Sequence, residues 1–321
     1  MAEPMTRPKS FLLFTLLLLP ACQSSRDLGR PVPPAEAISL LGDTLVPTPP
    51  AEESLRRMEQ QLEEARAALT ARPDDPDALI WLGRRAAYLG RYNEAIEIFS
   101  DGVERFADDP RMYRHRGHRY ITVRRLDDAI RDFEKAATLM ANKPDEVEPD
   151  GQPNARGIPI GSLHSNVWYH LALARYLRGD WDNAIEAARS GIAVSSNADR
   201  LVSQTHWLYM ALRRAGRVQE AAAALAPIRN DLDIVENTSY YQLVQLYKSG
   251  VPGASLDSAM QGGLGSPSDL SLAYGLANWF LYNRDTARAV TAFDRILASN
   301  QWASFGYLAA EADVARMRKS Q

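Results

Sequence analysis

Apolar and small residues recur 34 positions apart from about residue 76 to residue 140. A glycine, an alanine and a phenylalanine repeat in this way, first as Gly83, Ala95 and Phe99 and then as Gly117, Ala129 and Phe133. Each copy has the spacing of two helices joined by a short polar turn. One helix pair cannot bury its apolar face alone, so the pattern predicts pairs that stack into a superhelix.

The pattern resembles the tetratricopeptide repeat, a 34-residue unit in which Trp, Leu, Gly, Tyr, Ala, Phe, Ala and Pro recur at fixed positions. Units in phase begin at Pro76, Pro110, Ser165, Val202, Glu236 and Leu270. The unit from Glu236 is degenerate. We expect Glu52–Arg72 to be an N-terminal capping helix and Trp302–Arg318 to be a closing helix. The resemblance implies an all-α fold, a TPR-type α-solenoid of about five to six helix-turn-helix units plus capping helices, over residues 52–318.

An insertion at about residues 141–164 delays the third unit by 21 positions, since 165 − 110 − 34 is 21. It contains four prolines and three glycines, so it is not helical throughout. Its four acids are spaced roughly like an oxygen-rich cation site, and they are Asp145, Glu146, Glu148 and Asp150. A solvated acidic loop is the simpler interpretation.

The amino-terminal segment has the pattern of an export signal. A basic start precedes the apolar run Phe11–Leu19, which is too short to span a bilayer. The exit Leu19-Pro20-Ala21-Cys22 resembles the lipobox of bacterial lipoproteins and contains the only cysteine of the chain. The resemblance implies a signal peptide over residues 1–21 and a lipid on Cys22. A plain signal peptide with a stray cysteine, or a degraded transmembrane helix, is the alternative.

Residues 22–51 are rich in proline, serine and small residues and show no sustained helical period. We predict a lipidated, disordered tether, in which only Ala35–Leu41 docks or turns helical. In lipoproteins an Asp after the cysteine often marks inner-membrane retention. Gln23 stands there in this chain, which favours the outer membrane, on the periplasmic side, as the destination.

Composition and motifs exclude several functions. The net charge of −3 argues against nucleic-acid binding. We find neither a His-Glu-x-x-His helix nor a nucleophile or phosphate-binding motif, so we predict no enzyme and no cofactor. His115 and His118 share one helical face, but a lone pair at this spacing is a poor metal site. We therefore predict no metal.

The repeat resemblance also implies a ligand-binding concave face, formed by the first helix of each unit. The predicted groove is basic and aromatic, and its candidate residues are Trp81, Arg84, Tyr88, Arg111, Arg114, His115, His118, Tyr169, His170, Tyr176, His206 and Arg213, with Asn166 and Trp207 on the same face. Arginine pairs with carboxylates, and Tyr and Trp add contact area. We expect a protein or peptide ligand with an acidic or C-terminal carboxylate feature. Alternatively, these side chains only stack and solvate the superhelix.

The sequence thus favours a lipid-anchored, non-catalytic scaffold in the bacterial cell envelope. A second hypothesis is a glycan- or peptidoglycan-binding protein, or an accessory and possibly hydrolytic subunit of a cell-wall enzyme. That chemistry needs two facing carboxylates, and the predicted groove contains none. A third hypothesis is a cytosolic repeat protein.

Overall fold

The computed structural model describes Met1, residues 33–252 and residues 262–319. Apart from Met1, the predicted signal peptide of residues 1–21 and the predicted lipidation site Cys22 lie outside these ranges. Among the residues that are described, no helix combines the length and apolar character needed to cross a membrane.

The described residues form two short strands and thirteen helices. The strands are β1 (Ala37–Ile38) and β2 (Thr44–Leu45). The helices are α1 (Glu52–Ala71), α2 (Pro76–Tyr88), α3 (Tyr92–Arg105), α4 (Pro110–Thr122), α5 (Leu126–Met140), α6 (Leu163–Arg178), α7 (Trp181–Ala193), α8 (Ala198–Arg214), α9 (Val218–Ala224), α10 (Thr238–Ser249), α11 (Pro267–Tyr282), α12 (Thr286–Leu297) and α13 (Phe305–Lys319).

Successive helices pack as hairpins, and each hairpin stacks on the next. The unit starts predicted at Pro76 and Pro110 are the first residues of α2 and α4. The later first helices begin two to four residues from their predicted starts, at 163, 198, 238 and 267 against 165, 202, 236 and 270. Helices α1 and α13 occupy the predicted capping and closing positions. The predicted all-α solenoid of helix-turn-helix units is confirmed.

Local chemistry sets the starts of α2 and α4. Asp75 and Asp109 are N-caps, and each side chain accepts a hydrogen bond from the backbone N–H two residues later, at 2.9 Å. A proline follows each cap, where its missing N–H is harmless and its fixed φ suits a helix. The Asp-Pro pair therefore starts a helix at the same point of two successive repeats.

Glycines stand where two helices of one unit approach most closely. A Cβ added at Gly83 would lie 2.4 Å from the Phe99 ring, and one at Gly117 would lie 3.0 Å from the Phe133 ring. Both phenylalanines are buried. The 34-residue recurrence of glycine and phenylalanine is therefore a packing requirement.

The array curls until distant units touch across its interior. Helix α13 contacts α6, and α11 contacts α8. The hydroxyls of Tyr176 and Tyr274, 98 residues apart in sequence, lie 2.7 Å apart. Parts of the inner face are consequently covered by the chain itself.

Part of the segment predicted as a disordered tether is ordered, which corrects that expectation. Strands β1 and β2 form an antiparallel hairpin that packs on the repeat array. Leu45 is 5% exposed, and the Trp302 indole N–H donates to the Val46 carbonyl at 2.8 Å. Apolar burial and this long-range bond stabilise a short hairpin that local sequence alone does not specify. The ordered chain thus begins before residue 52.

The connection between α5 and α6 contains no helix. Val147 and Ser162 form an isolated antiparallel bridge, and the Glu148 amide donates to the Gly161 carbonyl at 3.0 Å. The bridge fixes residues 147–148 beside the start of α6. This connection therefore passes over the inner helices of the first three units.

Candidate functional site

Seven of the residues predicted on the concave face are buried within the fold, so the expectation of an open groove along all units is wrong. They are His115, Asn166, Tyr169, His170, Tyr176, His206 and Trp207. These side chains are buried because the array curls, so that the inner helices of the middle units pack against later helices instead of facing solvent. A cavity of about 340 Å³ is lined in part by Tyr169 and His170, and the predicted arginines Arg84 and Arg114 line a smaller cavity between the first two units.

The aromatic residues of the third and fourth units form a hydrogen-bonded interior. The Tyr169 hydroxyl lies 2.8 Å from the Tyr240 hydroxyl and accepts from the Trp207 indole at 3.2 Å. The Tyr274 hydroxyl donates to Asp313 of α13 at 2.8 Å. Burial raises the pKa of Tyr169 and Tyr274 well above the ordinary value. These hydrogen bonds tie distant units together.

Two predicted groove arginines also have structural partners. Arg111 donates to its own N-cap Asp109 and, at 2.6 Å, to Asp77 of the preceding unit, so it joins the starts of α2 and α4. Arg213 donates to the Tyr209 hydroxyl and lies over the Tyr282 ring, 4.2 Å from its centroid. Both arginines are therefore already engaged.

The remaining predicted residues surround a pocket of about 150 Å³ between α2 and α4. We call it the arginine pocket, and its lining side chains are Arg84, Tyr88, Phe99, Arg114, His115, His118 and Arg119, with Ala87. Trp81 lies next to it, with the Arg84 guanidinium 4.4 Å from its ring centroid. Helical spacing places the lining residues of α2 and α4 on adjacent turns of these two inner helices, and Phe99 is supplied by α3.

Arg119 is the least compensated charge of the arginine pocket. Among the described residues, the structure shows no hydrogen-bond acceptor and no carboxylate within ion-pair distance of its guanidinium. The Arg119 guanidinium carbon lies 5.6 Å from the centroid of the Tyr92 ring. Burial, together with the nearby charges of Arg114 and Arg84, lowers the pKa of Arg119 to about 10. The pocket thus offers buried positive charge in excess of its own counterions.

Among the described residues, one carboxylate pairs with a lining arginine of the arginine pocket, and it comes from the insertion. Glu148 pairs with Arg114 at 2.7 Å, and both side chains are 11% exposed. Glu148 also accepts from the Asn166 amide. The other three acids of the insertion are exposed, so Glu148 departs from the expected solvated acidic loop.

The histidines beside the arginine pocket are neutral. Burial and the nearby arginines lower the pKa of His115 and His118 well below the ordinary value. Arg114 donates to His115 Nδ1 at 2.9 Å, which places the imidazole proton on Nε2. The charge of the pocket therefore comes from its arginines.

Metal and catalytic sites were not expected. In the part of the chain that the structure describes, no group of three or more His, Cys, Asp and Glu side chains is arranged to hold a metal ion. The imidazoles of His118 and His170 are close, with centroids 4.4 Å apart, but His118 packs against Phe305 and His170 stacks on Phe133.

Sequence reasoning missed Arg119 and underestimated Glu148. Arg119 lies at a repeat position that the family pattern does not turn inwards, although six arginines and no acid between residues 110 and 125 were a signal. Glu148 could not be distinguished from Asp145, Glu146 and Asp150 by spacing. Only the path of the insertion brings it to Arg114.

Comparison with curated proteins gives no match to this chain. Several solved structures align with it. A tetratricopeptide repeat protein from Parabacteroides merdae is 13% identical, with 80% of this chain and 92% of that chain covered and a TM-score of 0.47. YrrB, described as a TPR protein with an unusual peptide-binding site, is 13% identical over 81% of this chain and 100% of that chain, with a TM-score of 0.42. MamA is 17% identical over 63% of this chain and 91% of that chain, with a TM-score of 0.41.

A family model gives the most direct relationship. Residues 57–116 match the tetratricopeptide repeat, a range that includes α2, α3 and most of the first helix of the next unit. Its last part contains Arg114 of the arginine pocket. The chain is an α-solenoid of helical hairpins, and residues 57–116 are similar in sequence to the tetratricopeptide repeat.

Proposed function

We propose that this protein is a non-catalytic, lipid-anchored scaffold of the bacterial cell envelope, which binds a protein partner through the arginine pocket. Stacked helical repeats commonly present extended surfaces for protein partners. The partner places a carboxylate, from an acidic side chain or a C-terminus, among Arg84, Arg114 and Arg119.

The excess of guanidinium groups over carboxylates carries this proposal. Three arginines line the arginine pocket, and Glu148 is the one carboxylate paired with them among the described residues. Guanidinium forks bind carboxylates through charge-assisted, paired hydrogen bonds. A volume of about 150 Å³ suits a single carboxylate-bearing group rather than a sugar chain. This favours a protein partner over the glycan ligand of the second hypothesis.

The anchoring part of the proposal rests on sequence. The apolar run Phe11–Leu19 and the lipobox ending at Cys22 support export and lipidation, and Gln23 supports the outer membrane, facing the periplasm. A lipid on Cys22 would hold the hairpin and the repeat array near the membrane surface, since multiple acyl chains give lasting anchorage.

Crosslinking from membranes tests the partner site. The full-length protein is compared with an Arg84→Gln/Arg119→Gln variant, after circular dichroism has established that both are folded. Arg178→Gln is the control, because Arg178 is 52% exposed and pairs with Asp127 away from the arginine pocket. We expect one periplasmic protein to be captured by the parent and the control and lost from the pocket variant. Equal capture by all three would disprove the site assignment.

Metabolic labelling with alkyne-palmitate tests the anchor. We expect label on the parent protein and none on a Cys22→Ser variant, which should also leave the membrane fraction. Processing should be blocked by globomycin. Membrane association that persists in Cys22→Ser without label would contradict the lipoprotein proposal.

A further inference from the structure

Glu148 pairs with Arg114, a lining side chain of the arginine pocket, in the way that a ligand carboxylate would. Its Oε2 atom lies 2.7 Å from the Arg114 guanidinium and also accepts from the Asn166 side-chain amide. Glu148 belongs to the insertion between α5 and α6, whereas Arg114 and Asn166 belong to the inner helices of two successive units. The carboxylate therefore comes from outside the repeat framework.

The pairing of Glu148 with Arg114 is incomplete. Glu148 Oε1 and Arg114 Nε are both buried and have no hydrogen-bond partner. A buried charged atom without a partner is unfavourable, since it has lost its water without a replacement. Burial also lowers the pKa of Arg114, with Glu148 opposing that effect. An incoming carboxylate that satisfies both edges of the guanidinium would bind Arg114 better than Glu148 does.

The residues after Glu148 lie over the same pocket. Arg84 donates to the Pro149 carbonyl at 2.8 Å. A Cβ added at Gly151 would lie 2.2 Å from the Tyr88 hydroxyl oxygen and 2.9 Å from an Arg84 nitrogen. Segment 148–151 therefore contacts three lining side chains, and its fit depends on the absence of a side chain at Gly151.

We propose that Glu148 is an internal ligand of the arginine pocket, which a carboxylate of the partner must displace. The inference rests on the proposed use of this pocket for carboxylate binding. The backbone bridge between Val147 and Ser162 keeps Glu148 close to Arg114, so the internal carboxylate has a high effective concentration. Partner affinity is then set by competition and increases whenever segment 148–151 is moved away.

Peptide binding by four folded proteins tests this competition. The probe is a fluorescein-labelled penta-glutamate peptide, followed by fluorescence anisotropy at fixed ionic strength with the full-length protein. Glu148→Gln removes the internal carboxylate, and Gly151→Ala places a methyl group against the ends of the Tyr88 and Arg84 side chains, so that the segment or these ends must shift while every charge is kept. Glu146→Gln is the matched control, because Glu146 lies in the same insertion and is exposed.

We expect Glu148→Gln and Gly151→Ala to bind the peptide at least fivefold more tightly than the parent, and Glu146→Gln to stay within twofold of it. Adding Arg119→Gln to either variant should abolish the gain. The inference is overturned if neither variant gains affinity, or if Glu148→Gln alone does, because a general charge effect would then explain the result.

This test separates the inference from the proposed function. Tighter peptide binding without any captured periplasmic partner would support the internal ligand and argue against the scaffold. Arg119-dependent capture with unchanged binding by Glu148→Gln and Gly151→Ala would support the scaffold and disprove the internal ligand.

Discussion

Arg124 and Glu311 form a buried ion pair that joins the second repeat unit to the last helix. Their side chains are 3% and 0% exposed, and the closest N–O distance is 2.6 Å. Glu311 also accepts from the Leu40 amide of the hairpin, at 2.6 Å. Three segments that are far apart in sequence thus meet at one carboxylate, which explains how the ends of the array are held together.

Arg124 takes an unusual backbone conformation at this junction. Its φ is +66°, and Gly90, 34 residues earlier in the equivalent turn, has φ of +79°. A side chain in this left-handed region costs about 1–2 kcal/mol. Arg124 also donates to the Thr122 and Trp302 carbonyls, so its guanidinium is well compensated. The contacts of the side chain offset the backbone strain.

Breaking this ion pair should be strongly destabilising. Glu311→Ala leaves a buried guanidinium without its counterion, and we expect the free energy of unfolding to fall by about 3–5 kcal/mol. The double variant Arg124→Leu/Glu311→Leu should lose less unfolding free energy than Glu311→Ala, because it leaves no unpaired buried charge. Urea unfolding followed by circular dichroism measures both.

An exposed ion pair provides the control for that comparison. Asp127 and Arg178 are 65% and 52% exposed, so Asp127→Ala should cost less than about 1 kcal/mol. A loss in Glu311→Ala no larger than that in Asp127→Ala would show that the buried pair does not hold the array together.

The docked hairpin gives a second prediction. Leu45 is buried against the repeat array, and Leu45→Ala should lower the free energy of unfolding by about 2–4 kcal/mol. Leu40 is 40% exposed, so Leu40→Ala should cost clearly less. Thermal unfolding of the two variants measures the difference. Unchanged stability in Leu45→Ala would mean that residues 33–51 are the disordered tether that the sequence suggested.

The glycines of the helix contacts should tolerate a methyl group unequally. Gly83→Ala forces its Cβ against the Phe99 ring, and overpacking of this kind costs about 1–3 kcal/mol. The Cβ of Gly117→Ala would lie farther from the Phe133 ring, so this variant should lose less unfolding free energy. Denaturant midpoints of the two variants test this order. The reverse order would contradict the packing argument.

Buried neutral histidines should make the protein sensitive to acid. Burial lowers the pKa of His206 to about 3 and the pKa of His115, His118 and His170 well below the ordinary value. The unfolded chain takes up protons at these sites below about pH 6.5 whereas the folded protein does not, so stability is full above that pH and falls as the pH decreases.

Between its unfolded and folded pKa values, each such histidine makes the free energy of unfolding change by about 1.4 kcal/mol per pH unit. Unfolding free energies measured from pH 7.5 to pH 4.5 give the total slope, and His206→Gln should reduce it. Stability that is constant across this range would show that these side chains titrate alike in the folded and unfolded chains.

The arginine pocket shows what each level of information decides. The sequence placed Arg84, Tyr88 and Arg114 on one inner face through the repeat spacing. It also placed Tyr176 and His206 there, and the structure buries both. Repeat spacing reports which face a side chain occupies within its own unit. It carries no information on which distant unit will cover that face.

The sequence by itself determined the helices, their pairing and the phase of the repeats. It could do so because Asp-Pro caps, turn glycines and Gly–Phe contacts act between residues less than 34 positions apart. Only the tertiary structure decided that the array closes on itself, that the hairpin docks beside Glu311, and that Glu148 reaches Arg114. These contacts depend on the summed curvature of many units and on burial between residues far apart in sequence, and no local pattern records either.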